Sequence, residues 1–193
     1  MGNEAAALQQ QIADVRRRAN ELVSGLSPEQ LTRRPDPSRW SIAECVAHLN
    51  LAAGVMQPMM IAGIDRGKKR KVYGQGPFNP GLRGGMLMWI AEPPPKFRLP
   101  APKLIAPPAT ISDPATVFSD FMGVQDEWER LLKAAEGVDQ SKIALGRWWS
   151  PFYCRLSAAF PWMMAHQRRH LLQAENVKRQ IVSAASGSSA KAG

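Results

Sequence analysis

Apolar residues recur along this chain at helical spacing in four separate stretches. In the first, Leu8, Ile12, Val15, Ala19 and Leu22 follow one another at steps of four and three, which places them on one helix face. Gly25, just past Ser24, supplies a C-terminal stop. Ser27-Pro28-Glu29-Gln30 predicts a short capped turn, with Ser27 as N-cap, Pro28 in the first helical position and Gln30 closing a capping box. A second long helix is predicted from Ser41 to about Gly63. It opens on the capping box Ser41-Ile42-Ala43-Glu44, with Trp40 placed to staple onto Cys45. Its stripe is Ile42, Cys45, Leu49, Ala52 and Met56. The third helix opens at Asp113-Pro114, carries Val117, Phe121, Val124, Trp128 and Leu131, and ends by Gly137. The fourth runs from about Ser157 through Ile181, tolerates Pro161 near its first turn, and turns Phe160, Met163, Gln167, His170, Ala174, Val177 and Ile181 inward.

No strand pattern competes with these stripes, so the expected fold class is all-α, a four-helix bundle with shallow crossing angles. One domain is expected over residues 1–183, with a long irregular proline-rich connection at 65–112 between the second and third helices. The connection allows one non-adjacent crossover. The tail, 184–193, is small and polar and is expected to be disordered.

Composition narrows the classes further. Of 193 residues, 45% are hydrophobic and 21% charged, which excludes collagen-like, purely coiled-coil and wholly disordered chains. Cys45 and Cys154 are too few for a disulfide framework and point to a reducing interior. No export signal is visible, nor an apolar run of about 18 residues. The expectation is a soluble cytoplasmic protein with no membrane partner.

Charge is concentrated in one place. The net charge is +9, and the segment from Arg66 to Ser112 carries +8 of it, leaving +1 elsewhere. Ten of the 16 prolines fall between Pro77 and Pro114, and Glu92-Pro93-Pro94-Pro95 fits neither helix nor central strand. One reading makes the segment an anion-binding arm for nucleic acid or a phosphorylated partner, seeded by Arg66, Lys68, Lys69, Arg70 and Lys71. The other makes it a solvated loop, partly polyproline, wrapping the flank of the domain. The aromatic–basic alternation of a single-strand stacking platform is missing.

The three histidines occupy two helices. His166 and His170 are one turn apart on the fourth, and His48 lies on the edge of the inward stripe of the second. If those helices face each other, the rings converge into a site suited to Zn²⁺, Ni²⁺ or Fe²⁺ with positions left open. The competing reading is an exposed pair of histidines and a third packed in the core. Gln167 stands where a zincin-type protease would carry glutamate, which disfavours that chemistry.

Trp40-Ser41-Ile42-Ala43-Glu44-Cys45-Val46-Ala47-His48-Leu49 resembles the second-helix opening of the DinB-like superfamily, and His166-Gln167-Arg168-Arg169-His170-Leu171-Leu172-Gln173 is similar to its fourth-helix motif. The stretch Ser150 to Ser157 also fits, with Cys154 where glycine is usual. The resemblance implies a bundle with a crossover and a divalent metal held by His48, His166 and His170. It also implies a frequent homodimer, and relatives that are thiol-dependent S-transferases or isomerases using bacillithiol, mycothiol or glutathione.

In such an enzyme the metal would lower the pKa of a low-molecular-weight thiol. Arg66 to Lys71 and Arg83 are candidates to hold that thiol's carboxylates. Gln173 could orient a ligand or make a polar contact with a neighbouring helix. Cys45 is expected to be a core residue, and Arg168 and Arg169 to face outward. Trp148, Trp149 and Trp162 are expected in the core or pocket wall, and Met56, Met59, Met60, Met163 and Met164 fit either an apolar pocket or core filling. The function expected is a metal-dependent thiol S-transferase, or a hydrolase, acting on a small molecule. The alternatives are a non-catalytic protein whose 66–103 segment contacts an anionic partner such as nucleic acid, and a metal-free bundle that only dimerises.

Overall fold

The stripe residues of all four predicted helices meet in the interior. In the computed structural model, which describes residues 3–94 and 100–189, six α-helices carry the chain. They are α1 (Asn3–Val23), α2 (Pro28–Thr32), α3 (Ile42–Lys69), α4 (Gly81–Ala91), α5 (Pro114–Ala134) and α6 (Leu156–Ser189). Among the described residues, strand is confined to β1 (Ala144–Leu145) and β2 (Cys154–Arg155), paired antiparallel just before α6. The long helices α1, α3, α5 and α6 form the bundle, and its core divides in two. Ile12, Met56, Met60, Trp128, Phe160 and Met163 fill one part, and Val15, Leu22, Ile42, Leu49, Phe121 and Leu171 the other.

Within the ring, α3 packs on α5 and α6, and so does α1. The cross-contacts give the directions. Asn50 Nδ2 donates to the Val117 carbonyl and Gln57 Nε2 to that of Val124, both 67 residues apart, so α3 and α5 run parallel. Arg168 reaches Gln11 and Arg18 reaches Glu175, both 157 apart, so α1 and α6 run parallel. Against α3, α6 is antiparallel: His48 meets His166, whereas Arg39, just before α3, meets Gln180 further along α6. The connection between α3 and α5 therefore joins adjacent helices, and because they point the same way it must return along the bundle.

Its prolines and glycines predict an irregular connection throughout, and the structure corrects that. The connection contains α4, which runs beside α6 in the same direction: Ser157 Oγ donates to the Asn79 carbonyl at one end, and Arg168 pairs with Glu92 at the other. Gly84 permits the approach, since a Cβ there would sit 2.5 Å from the Ala158 methyl. Downstream, a 3-10 turn at Lys103–Ile105 buries Ile105. Lys96 and Arg98 lie outside the described residues.

Other boundaries also moved. The second predicted helix does not stop near Gly63 but continues as α3 to Lys69. Gly63 and Gly67 are contact glycines, because a Cβ on either would meet Leu145 at 2.5 Å or Val138 at 2.8 Å. By length and composition α3 is apolar enough to cross a membrane, and half of its apolar window is buried in the bundle. Helix α6 continues to Ser189, past the predicted start of a disordered tail at 184, and residues 190–193 lie outside the described residues. Trp148 and Trp149 are exposed on the β1–β2 loop rather than in the core or a pocket wall.

The start of α3 is firmly set. Ser41 Oγ accepts from the Glu44 N–H while Glu44 Oε2 accepts from the Ser41 N–H, the reciprocal capping box read from the sequence. Burial pushes the Glu44 carboxyl upward, but hydrogen bonds from Arg34 and Ser41 outweigh it and hold it below the ordinary value.

Docking of α4 depends on a bare backbone at position 84. Gly84→Val is expected to destabilise the chain by about 1–3 kcal/mol through overpacking. Gly85→Ala, with nothing within 4 Å of its Cβ, should be neutral or stabilising. Urea unfolding of the two variants checks this, and equal destabilisation would show that α4 is not held through the Gly84 face.

Candidate metal centre

The capping box that opens α3 places His48 on the second turn of that helix, facing α6. The i, i+4 spacing of α6 stacks His166 and His170 on the facing side. One nitrogen from each of the three rings comes within 4.8 Å of the others, and ring centroids are 4.4–5.0 Å apart. His48 Nε2 and His166 Nε2 are 3.1 Å apart. Two nitrogens bound at about 2.0–2.1 Å to one ion lie about 3.3 Å apart in tetrahedral geometry, so this spacing is close to that of two ligands on one metal.

Hydrogen bonds on the far side of two rings fix their tautomers. His48 Nδ1 lies 2.6 Å from the Ile105 carbonyl, which can only accept, so Nδ1 carries the proton and Nε2 presents a lone pair inward. His170 Nδ1 likewise donates to Gln173 Oε1 at 3.0 Å. Such outer partners orient metal-ligating imidazoles and raise their basicity as ligands. His166 differs, because its Nδ1 is buried with no partner among the described residues. With His48 Nε2 an acceptor, the 3.1 Å contact makes His166 Nε2 the donor, and for Nε2 to serve a cation as a neutral ligand its proton would move to Nδ1 of the same ring. The donor set is thus three neutral imidazoles, and it fits a borderline divalent ion such as Zn, Ni or Fe.

Burial keeps all three neutral. Desolvation lowers the pKa of His48 against the opposing Ile105 hydrogen bond. Desolvation, then the neighbouring His48 and Arg169 charges, lowers His166 to about 3. His170 falls well below the ordinary value through burial and the two other rings.

Of the residues singled out in the sequence, the structure brings together His48, His166, His170 and Gln173. It does not bring the basic run to them. Arg66, Lys68 and Lys69 end α3, with Arg70 as its C-cap and Lys71 beyond. Arg66 lies 18 residues past His48, about 27 Å at the helical rise. Arg83, on α4, donates to the Ser150 carbonyl and lies over Tyr153. Cys45 is a core residue as expected, and Met56, Met60, Met163 and Met164 fill the core. Arg168 and Arg169 do not face outward into solvent. Arg168 grips Glu92 and Gln11, and Arg169 donates to the Ile90 carbonyl, so both hold α4 against α6.

Two parts of the site were missed. The Ile105 carbonyl comes from the connection, and no side-chain signal marks a backbone acceptor. Trp40, read as a staple onto Cys45, has its ring 5.0 Å from His48 and 5.9 Å from His170 and walls one side of the cluster. Its position eight residues before His48 in a capped helix opening was the available signal.

The sequence model of the DinB superfamily matches residues 11–174, a span that includes all three histidines. No curated protein and no solved structure matches the chain.

The histidine burial has a pH consequence. An unfolded imidazole takes up a proton near 6.5, but folded His166 does so only at about 3. Between those values the unfolded chain binds more protons, so stability is complete above about 6.5 and is lost as pH falls toward 3. Metal-stripped protein is expected to lose urea resistance from about pH 6.5 to about 4.5, and His166→Phe should flatten that slope. A wild-type slope no steeper than the variant's would contradict the burial of a neutral ring.

Proposed function

The chain belongs to the DinB superfamily, and we propose that it is a metalloprotein that binds one divalent ion through His48, His166 and His170 and uses it to activate a low-molecular-weight thiol. The observation that carries the reading is the convergence of three neutral imidazole nitrogens within 4.8 Å, two of them aimed by hydrogen bonds behind the ring.

Each residue has a part in it. Ile105 holds the His48 proton at Nδ1, and Gln173 holds that of His170, so both Nε2 atoms stay available as ligands. Trp40 excludes water from one side of the rings. Three neutral ligands leave a divalent ion its full charge, which lowers the pKa of a thiol brought beside it. Neither cysteine is a ready nucleophile. Burial pushes the Cys45 thiol well above its ordinary value and that of Cys154 up to about 12. An exogenous thiol then loses its proton to solvent, its sulfur bonds to an electrophilic carbon, and the leaving group departs with the electrons of the broken bond.

Untagged protein purified without chelator is expected to carry about one equivalent of Zn, Ni or Fe, and His48→Ala, His166→Ala and His170→Ala to carry none. Gln173→Leu should keep the stoichiometry but weaken affinity about 10–100-fold, as loss of an outer partner does. Elemental analysis and competition with a chromophoric chelator read both. Metal-loaded protein should then consume a thiol and a small electrophile in equal amounts. Full metal content in the triple histidine variant would overturn the site, and metal binding without thiol consumption would overturn the chemistry.

A further inference from the structure

Helix α4 has apolar residues on both of its faces. Gly84 and Ala91 are buried against the bundle, yet the opposite side carries Leu82, Met86 and Trp89 at steps of four and three, all exposed, with Leu82 97% accessible. A surface helix of a globular domain ordinarily turns polar residues outward. The β1–β2 loop exposes a second apolar group, Trp148 and Trp149, whose rings lie 5.7 Å apart with Arg147 over Trp149.

Two hydrogen bonds bring the start of α4 and the loop to one end of the bundle, from which the α4 stripe runs along the side to Trp89, next to the turn where Arg169 holds Ile90. Arg83 Nη2 donates to the Ser150 carbonyl at 2.8 Å, tying the start of α4 to the loop. Arg66 Nη2 donates to the Ala144 carbonyl at 2.6 Å, tying the end of α3 to β1. The same end therefore collects Lys68, Lys69, Arg70 and Lys71 as well as Arg83 and Arg147, all exposed. Among the described residues none of these six is within ion-pair distance of a carboxylate, and the nearby Asp139 is taken by Lys142.

We infer that this end of the molecule is a docking surface for an anionic membrane, with Leu82, Met86, Trp89, Trp148 and Trp149 entering the headgroup boundary and the flanking cations facing the lipid phosphates. Charge complementarity selects the occupant. Basic residues around an exposed aliphatic and indole cluster are the make-up of interfacial, non-spanning membrane segments. A nucleic acid would use the cations but gain little from Leu82 and Met86. The sequence suggested no membrane contact because the apolar stripe exists only once 81–91 is a helix. The inference uses none of the metal-site residues: the basic run starts about 27 Å along α3 from His48, and the α4 stripe runs from that end back along the side of the bundle.

The test is co-sedimentation of the full-length, metal-replete protein with vesicles of neutral phosphatidylcholine, alone or with about one-third phosphatidylserine. Binding at least tenfold stronger to the anionic vesicles, weakened by salt, is expected. The double variant Trp148→Ser/Trp149→Ser and, separately, Leu82→Ser/Met86→Gln should each lower it about tenfold or more with metal content and helicity unchanged. Should either variant misfold, quenching of wild-type tryptophan fluorescence by brominated lipid supplies the same evidence. Absence of binding to anionic vesicles at low salt would overturn the proposal. So would apolar variants that bind like wild type, binding to a duplex oligonucleotide that excludes the vesicles, or concentration-dependent self-association through the patch without lipid binding.

Discussion

Two consecutive helices of this bundle, α3 and α5, are neighbours that run the same way, and most of what distinguishes the molecule follows from that. A chain leaving the far end of α3 cannot enter α5 without travelling back along the bundle, and the return path becomes structure in its own right. It lays α4 along α6 and then turns at Lys103–Ile105, where a backbone carbonyl meets His48. The crossover is thereby part of the histidine cluster. The ring on α3 is aimed by the Ile105 carbonyl, 57 residues downstream of it, while the ring of His170 is aimed from its own helix by Gln173.

Electrostatically the cluster and the rest of the chain are separate. The three imidazoles are desolvated and neutral, with no carboxylate among them. Arg169, whose charge bears on His166 and His170, is used together with Arg168 to hold α4. The excess positive charge sits at the opposite end of α3. A site assembled from neutral donors in a dry environment favours a cation, and then an anionic ligand on that cation, without help from the basic run.

What the sequence showed clearly was whatever depends on periodicity and local capping. The stripes of α1, α3, α5 and α6, the capping boxes at Ser27 and Ser41, and the one-turn spacing of His166 and His170 all follow from residues within a few positions of one another, whereas the meeting of His48 with that pair was an expectation conditional on the two helices facing each other. What stayed hidden depends on a partner distant in sequence. Gly63, Gly67 and Gly84 look like helix breakers until Leu145, Val138 and Ala158 are seen pressed against them. Arg168 and Arg169 look like a solvated pair until α4 is there to be gripped. The indoles of Trp148 and Trp149 look like core until the hairpin carries them outward.

The offset of 67 residues between α3 and α5 puts Pro114 level with position 47, so the return from Lys69 covers 22 residues of helical rise, about 33 Å. An extended strand of about ten residues could span that gap. The chain spends residues 70–113 on it, several times that minimum. A shortened linker would still close the bundle topologically, and what it would delete is α4 together with the carbonyl that steers His48. Length here is a functional quantity: two chains with the same four bundle helices but different linkers would share a fold while differing in how well their histidines are prepared for a metal.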